Sequence, residues 1–500
     1  MKLEQARLDF DNLQRKISAF NHATALIYYD GETTAPSDTA ANRTHSLQIL
    51  NEEIFKLKTG EETEELLNYL NERRDDLTVR ERRAVDFMLK DFNRKKPIPP
   101  KEYVNYENLL TLAQDAWHTA TEEDDFSILA PHLKKVFDKQ REFAKVCRPE
   151  MDPYKYWLEL YEEGVDVETC DKLFADIRNE LTPLLHQIME KPQVDDSSIK
   201  GNFSVEKQEG LALYLLDLIG LNMNRVGLAT SEHPFTTYLG SHYDERIATR
   251  YSKKDFTFSM YTVLHEGGHV LYDMGQADNL AYTVLDGTQS MSLLESQGRF
   301  YENIVGRSLP FIEYIYPELE ELFPETISRH TPEEIYRAVN KVEPGLIRMD
   351  ADELTLNLHI IVRYELEKDM IAGTLDVKDL PEAWAAKYKD YLGLDVPNHV
   401  HGVLQDIHWP FGATGYFPSY ALGNVMGSQM TEKMNEEINL EECIKEGNYA
   451  LINLWNKEKV WKHGGLYNAR EIMEKQVGVK LSSEPYIRYL RKKYSEIYNL

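Results

Sequence analysis

A mostly α-helical fold with a small β-sheet is predicted by three features of this 500-residue chain. Glycine and proline (26 and 20) fall below the roughly 12% of an average protein, so breaks are few. Apolar residues recur at helical spacing over several long stretches, while strand-like alternation stands out in one place. No internal repeat or low-complexity linker interrupts the pattern.

Taken in order, residues 3–19 carry helical apolar spacing, and residues 61–95 read as a charged helical pair hinged at Leu77-Thr78. Polar breaks at 191–201 and 324–331 read as loops and not as domain borders. Residues 235–251, FTTYLGSHYDERIATRY, alternate and are rich in β-branched side chains, which suggests a short hairpin. Residues 252–275 place Phe256, Met260, Val263, Leu264, Val270 and Leu271 around most of a helix, so that helix is buried. Ser252-x-x-Asp255 is a plausible start and Gly275 a plausible stop. A further apolar-periodic helix spans 292–307, with Leu294, Phe300, Ile304 and Val305 toward the core.

The buried helix contains His265-Glu266-Gly267-Gly268-His269. Histidines four apart on a helix lie one above the other, close enough to share a tetrahedral metal. The intervening glutamate then faces the open position where water is activated. The bland alternative, a surface helix with two solvated histidines, suits a polar helix and not this one. Two adjacent glycines cost a helix about 2 kcal/mol, so something must approach closely there. A catalytic site needs a third protein ligand. A glycine and a histidine three and six residues beyond His269 would supply one pattern, but Tyr272 and Gly275 stand there. Glu295 is the stronger candidate, with a capping box to Ser292 as its structural alternative. Asp273 and Asp286 are rival carboxylates, Asp273 being better placed to orient a histidine.

His233-Pro234-Phe235, His265 to His269, Glu295-Ser296-Gln297, Ile347-Arg348-x-x-Ala351-Asp352 and Gly402-x-x-Gln405-Asp406-x-His408-Trp409 occur in that order. Across essentially its whole length the chain resembles the carboxypeptidase Taq family of thermostable-type zinc metallocarboxypeptidases. It departs from the family's usual pattern with His233 in place of Asp, Leu294 in place of His, and Tyr29-Asp30 in place of Trp-Asp. More distantly it resembles the helical gluzincins of the angiotensin-converting type. In that class an Asp commonly stands four residues after the ligand Glu, where this chain has Arg299. The resemblance implies a bilobed gluzincin-like helical fold over 1–500 as one domain, with a deep substrate channel roofed by N-terminal helices. It implies His265, His269 and Glu295 as ligands of one Zn2+, for which Co2+ is a possible substitute.

Peptide hydrolysis also needs a donor for the oxyanion and a grip on the substrate. Residues 408–420 offer the donor. By resemblance it maps onto His408 with Tyr420, Tyr416 being the competing assignment. A terminal carboxylate is best held by a planar bidentate arginine. Arg348 is that residue by resemblance, with an ion pair to Asp350, Asp352 or Glu353 as its structural alternative. An extended substrate adding to the hairpin edge would bring a peptide carbonyl to His233. His399 and His401 read as loop histidines, since nothing in their spacing imposes a second metal.

Net charge is −27, from 57 basic and 84 acidic side chains, which disfavours nucleic acid and anionic membranes as partners. Cys147, Cys170 and Cys443 form no zinc or redox motif and fit a reducing compartment. The opening MKLEQARLDF lacks an apolar signal core, and the apolar stretch 211–226 is broken by Asp217 and Asn222. A cytoplasmic location follows as the default expectation. The expected activity is removal of single C-terminal residues from peptides by Glu266 acting as base and then acid. The family implies broad specificity, proline disfavoured, and a homodimer. An oligoendopeptidase or dipeptidyl carboxypeptidase with the same zinc chemistry is the alternative.

Overall fold

Long amphipathic helices separated by capped turns account for most of the computed structural model, which describes residues 2–287 and 289–500. The first helix, Leu3–Thr33, continues well past the predicted 3–19. The charged pair appears as Glu61–Asn71 and Val79–Lys95, and Thr78 closes a capping box with Glu81 at the predicted hinge. The loop expected at 324–331 holds one short helical turn, Pro324–Ile327.

Buried apolar side chains form two clusters. The larger gathers side chains from Ile98 to Tyr498. The smaller joins the N-terminal helices through Ala6, Phe10, Leu67 and Val85 to Leu280 and Leu285. The first helix is further tied to the sheet, where Ser18 Oγ donates to the Gly240 carbonyl at 2.5 Å and His22 Nδ1 lies 2.9 Å from Leu239 O.

The predicted hairpin is present as β2 (Phe235–Tyr238) antiparallel to β3 (Glu245–Thr249). A strand not anticipated from sequence, β1 (Val226–Thr230), pairs parallel with β3, so the order is β1-β3-β2 and β2 is an edge.

The His265 helix runs Thr257–Met274 and is buried on nearly all sides. It starts two residues beyond Asp255 because that side chain accepts from the Thr257 N–H at 2.8 Å, while Ser252 bridges to Asp255 instead of capping. Its two glycines have distinct neighbours. A Cβ on Gly267 would press on Ile219, and one on Gly268 would lie 2.4 Å from the Gln297 carbonyl oxygen. That second contact is the close approach that the glycine pair foreshadows. The opposing helix, Met291–Arg299, is capped by Ser290 and not by a Ser292–Glu295 box. It widens into a π-helical segment, Phe300–Val305, a deviation often found at functional sites.

Candidate metal centre and active site

His265, His269 and Glu295 are brought together, with one ligand atom from each lying within 4.8 Å of the others. Both imidazoles are fixed through Nδ1, leaving Nε2 for the common point. His265 Nδ1 lies 3.0 Å from Glu302 Oε2, and His269 Nδ1 lies 3.0 Å from the Leu294 carbonyl oxygen. His265 Nε2 is 3.9 Å from Glu295 Oε2. Between the two rings stands Gly298, where a Cβ would come within 2.8 Å of each imidazole Cε1.

The chemistry of this set fits a divalent ion. Two imidazole nitrogens and a carboxylate are the donors of a zinc-type catalytic centre. Glu295 Oε2 is buried and accepts no hydrogen bond, with Arg299 Nε 3.5 Å away, so it keeps a lone pair for a metal cation. Burial, followed by the neighbouring His265, pushes His269 well below the usual histidine range, keeping it neutral and able to ligate.

Glu266 lies beside this point, its Oε2 accepting from Thr236 Oγ on β2 at 2.5 Å. Burial raises its carboxyl above the ordinary range. Arg348 is buried and pairs with Asp406, not with Asp350, Asp352 or Glu353. Its Nε and Nη2 lie 2.9 and 2.8 Å from Asp406 Oδ1. The nearby acids are engaged elsewhere: Asp352 accepts from the Thr355 and Glu343 N–H groups, and Glu353 pairs with Lys493. The Arg348 guanidinium carbon lies 5.2 Å from the centre of the Tyr420 ring.

His408 Nε2 is 3.4 Å from the Tyr420 hydroxyl, whereas the Tyr416 ring packs between Tyr161 and Tyr420. Burial lowers His408 to about 4, against the pull of Asp406. His233 is exposed at the turn before β2 and, among the described residues, its ring makes no hydrogen bond. His399 Nδ1 is engaged with the backbone at Asp124 and Phe126, and His401 with Asn398, both in the loop.

One further expectation is corrected: Asp273, expected to orient a histidine, accepts from Gln276, while the histidine Nδ1 atoms are held by Glu302 and the Leu294 carbonyl. Asp286, the rival ranked behind Glu295, serves His242 at 2.6 Å instead. Sequence reasoning missed Glu302, although seven residues beyond Glu295 is the same helix face two turns on. It also left Asp406 without a role and did not mark Thr236 or Arg363.

The family model described as Carboxypeptidase Taq (M32) metallopeptidase matches residues 9–494. The chain is 36% identical to carboxypeptidase 1 of Bacillus subtilis over the full length of both. It is 33% identical to thermostable carboxypeptidase 1 of Pyrococcus furiosus, covering 96% of each. The M32 carboxypeptidase of Deinococcus radiodurans superposes with a TM-score of 0.96 at 33% identity, covering 99% of this chain and 100% of that one. The chain therefore belongs to the carboxypeptidase Taq (M32) family and is a metallocarboxypeptidase, a peptide hydrolase that works with a metal.

Proposed function

We propose that this metallocarboxypeptidase uses one zinc ion, held by His265, His269 and Glu295, to remove single residues from peptide C-termini with broad side-chain tolerance and little activity at proline. The observation that carries the reading is the convergence of three ligand atoms within 4.8 Å, among them a buried carboxylate oxygen that accepts no hydrogen bond, with Glu266 adjacent.

When bound, the ion supplies Lewis-acid polarisation of the scissile carbonyl and lowers the pKa of water. The protein supplies the rest. Glu266, steadied by Thr236, takes a proton from the attacking water and returns it to the departing amide nitrogen. Tyr420, beside His408, donates its hydroxyl to the developing oxyanion. Arg348 grips the terminal carboxylate through the edge of its guanidinium not occupied by Asp406. Because β2 is an edge strand and carries Thr236, a peptide added along it passes Glu266, with His233 at the start of that edge. The remaining parts of the reading are a homodimer, a cytoplasmic location and a chain working as one unit over 1–500. They rest on the family resemblance and, for the location, on three cysteines that form no zinc or redox motif and suit a reducing compartment.

Mass spectrometry of a mixed peptide pool tests the activity. Stepwise loss of single C-terminal residues is expected with metal and none with a chelator. Cleavage of C-terminally amidated peptides at the full rate would refute the exopeptidase reading.

A further inference from the structure

Glu162 is fully buried and forms no ion pair among the described residues. Its Oε1 accepts from the Ser292 N–H at 2.6 Å and from Ser419 Oγ at 2.7 Å. Its Oε2 accepts from Ser290 Oγ at 2.9 Å and from Ser292 Oγ at 2.6 Å. Burial raises its carboxyl above the ordinary range, and these hydrogen bonds pull the other way.

The four donors belong to two elements. Ser290 caps the Met291–Arg299 helix and Ser292 lies in its first turn, one turn before Glu295. Ser419 lies in the first turn of the Phe417–Glu437 helix, beside Tyr420. Both helices thus turn their positive ends toward one anion. They also meet at the site itself, since a Cβ on Gly423 would lie 2.6 Å from Glu295 Cβ. An apolar side chain of similar size would leave the buried Ser292 N–H and three hydroxyls without this acceptor. The carboxylate is thus the acceptor that both first turns share.

We infer that Glu162 is a positioning residue, clamping the first turns of the two helices and so fixing Glu295 relative to Tyr420. The inference rests on the proposed roles of those two residues. It is tested on the full chain by zinc affinity (chelator competition), by kcat and KM on a short peptide, and by the urea midpoint. Glu162→Ala is expected to lower zinc affinity about tenfold or more, with a similar fall in kcat and little change in KM. Glu162→Gln is expected to restore most of both, since its carbonyl can take the Ser292 N–H and Ser419 while its amide donates to the other hydroxyls. Ser419→Ala frees only the Tyr420 helix, so kcat is expected to fall about tenfold with zinc affinity and urea midpoint unchanged. A merely structural role would lower the midpoint without separating kcat from zinc affinity.

A folded Glu162→Ala, or a Ser419→Ala, that keeps both kcat and zinc affinity within about twofold of the parent overturns the inference, as does a Glu162→Gln no better than alanine. Should Glu162→Ala fail to fold, Ser419→Ala decides. Glu295→Ala separates the two levels. Zinc retained there overturns the ligand assignment, whereas zinc lost there beside silent Glu162 and Ser419 variants overturns the clamp alone.

Discussion

Replacing Glu302 with alanine removes the carboxylate that anchors His265. Its Oε2 lies 3.0 Å from His265 Nδ1 and 2.8 Å from Arg299 Nη1, and its Oε1 lies 3.6 Å from Arg307 Nη2. Two separable losses are expected. Without an acceptor on Nδ1 the imidazole can rotate and change tautomer, and such outer partners are worth about 10–100-fold in metal affinity, or about 1.4–2.7 kcal/mol. Arg299 Nε is already 3.5 Å from Glu295 Oε2. Released from Glu302, it competes for the oxygen a metal needs, so the upper half of that range is expected.

The second loss is in stability. Breaking a buried ion pair costs about 3–5 kcal/mol. Here the three side chains retain 14–22% exposure, and Arg307 keeps bonds to Asn303 and the Val339 carbonyl, which places the expected cost near about 2–3 kcal/mol. Glu302→Gln keeps an acceptor without the charge and is expected to lose only about tenfold in affinity. Chelator competition measures the first loss and urea unfolding of the metal-free chain the second. An alanine variant binding zinc within about threefold of the parent would show that His265 needs no such anchor.

Glu266→Gln is expected to lower hydrolysis about 10²–10⁴-fold while zinc content persists; unchanged turnover would remove Glu266 from the reaction. Arg348→Lys keeps a charge and loses the planar fork, so kcat/KM on peptides with a free C-terminus should fall about 10–100-fold. An equal fall in residual cleavage of amidated peptides would refute the carboxylate role. Glu367 offers a pH test: burial pushes it up to about 7, although Tyr154, Gly415 and Trp409 all donate to it. A raised carboxyl adds stability that is full below about 4.5 and lost as pH rises through about 7, up to about 3 kcal/mol. The stability of Glu367→Gln relative to the parent should therefore improve by that amount across this window, and parallel pH curves would contradict it.

What was legible in the sequence is what local periodicity encodes. The His265 helix follows from apolar spacing and the four-residue offset of its histidines, and the hairpin from alternation between Phe235 and Tyr251. Contacts between distant segments were not legible. Strand β1 has an apolar composition that suits helix or strand, and its pairing with β3 decides the matter. Asp406 is 58 residues from Arg348 and 43 from Arg363, so acids closer in sequence were the natural partners to expect. Glu302 stands three residues beyond Arg299, whose opposite charge gives no local cue that an acid on this face serves His265. The four donors of Glu162 come from segments 128 and 257 residues away, a pairing no spacing rule reaches.

A chain of formal charge −27 must still draw in a peptide end that is itself anionic. Around Asp406 two guanidinium groups meet one carboxylate, leaving a surplus positive charge in a buried place. Arg363 is spent inward. It is fully buried, donates to Asp406, the His359 carbonyl, Tyr388 and Gln405, and lies against Trp384. Arg348 uses Nε and Nη2 on Asp406, while its Nη1 has no hydrogen-bond partner among the described residues. The surplus therefore sits at Arg348, over Tyr420. Were Arg348 present only to neutralise Asp406, Arg363 alone would suffice. Losing Asp406 would instead leave two buried cations facing each other. Asp406→Asn is accordingly expected to lower the urea midpoint more than Arg348→Lys does, while Arg348→Lys costs more in kcat/KM than in stability. The reverse ranking would mean that the second arginine serves the fold and not the substrate.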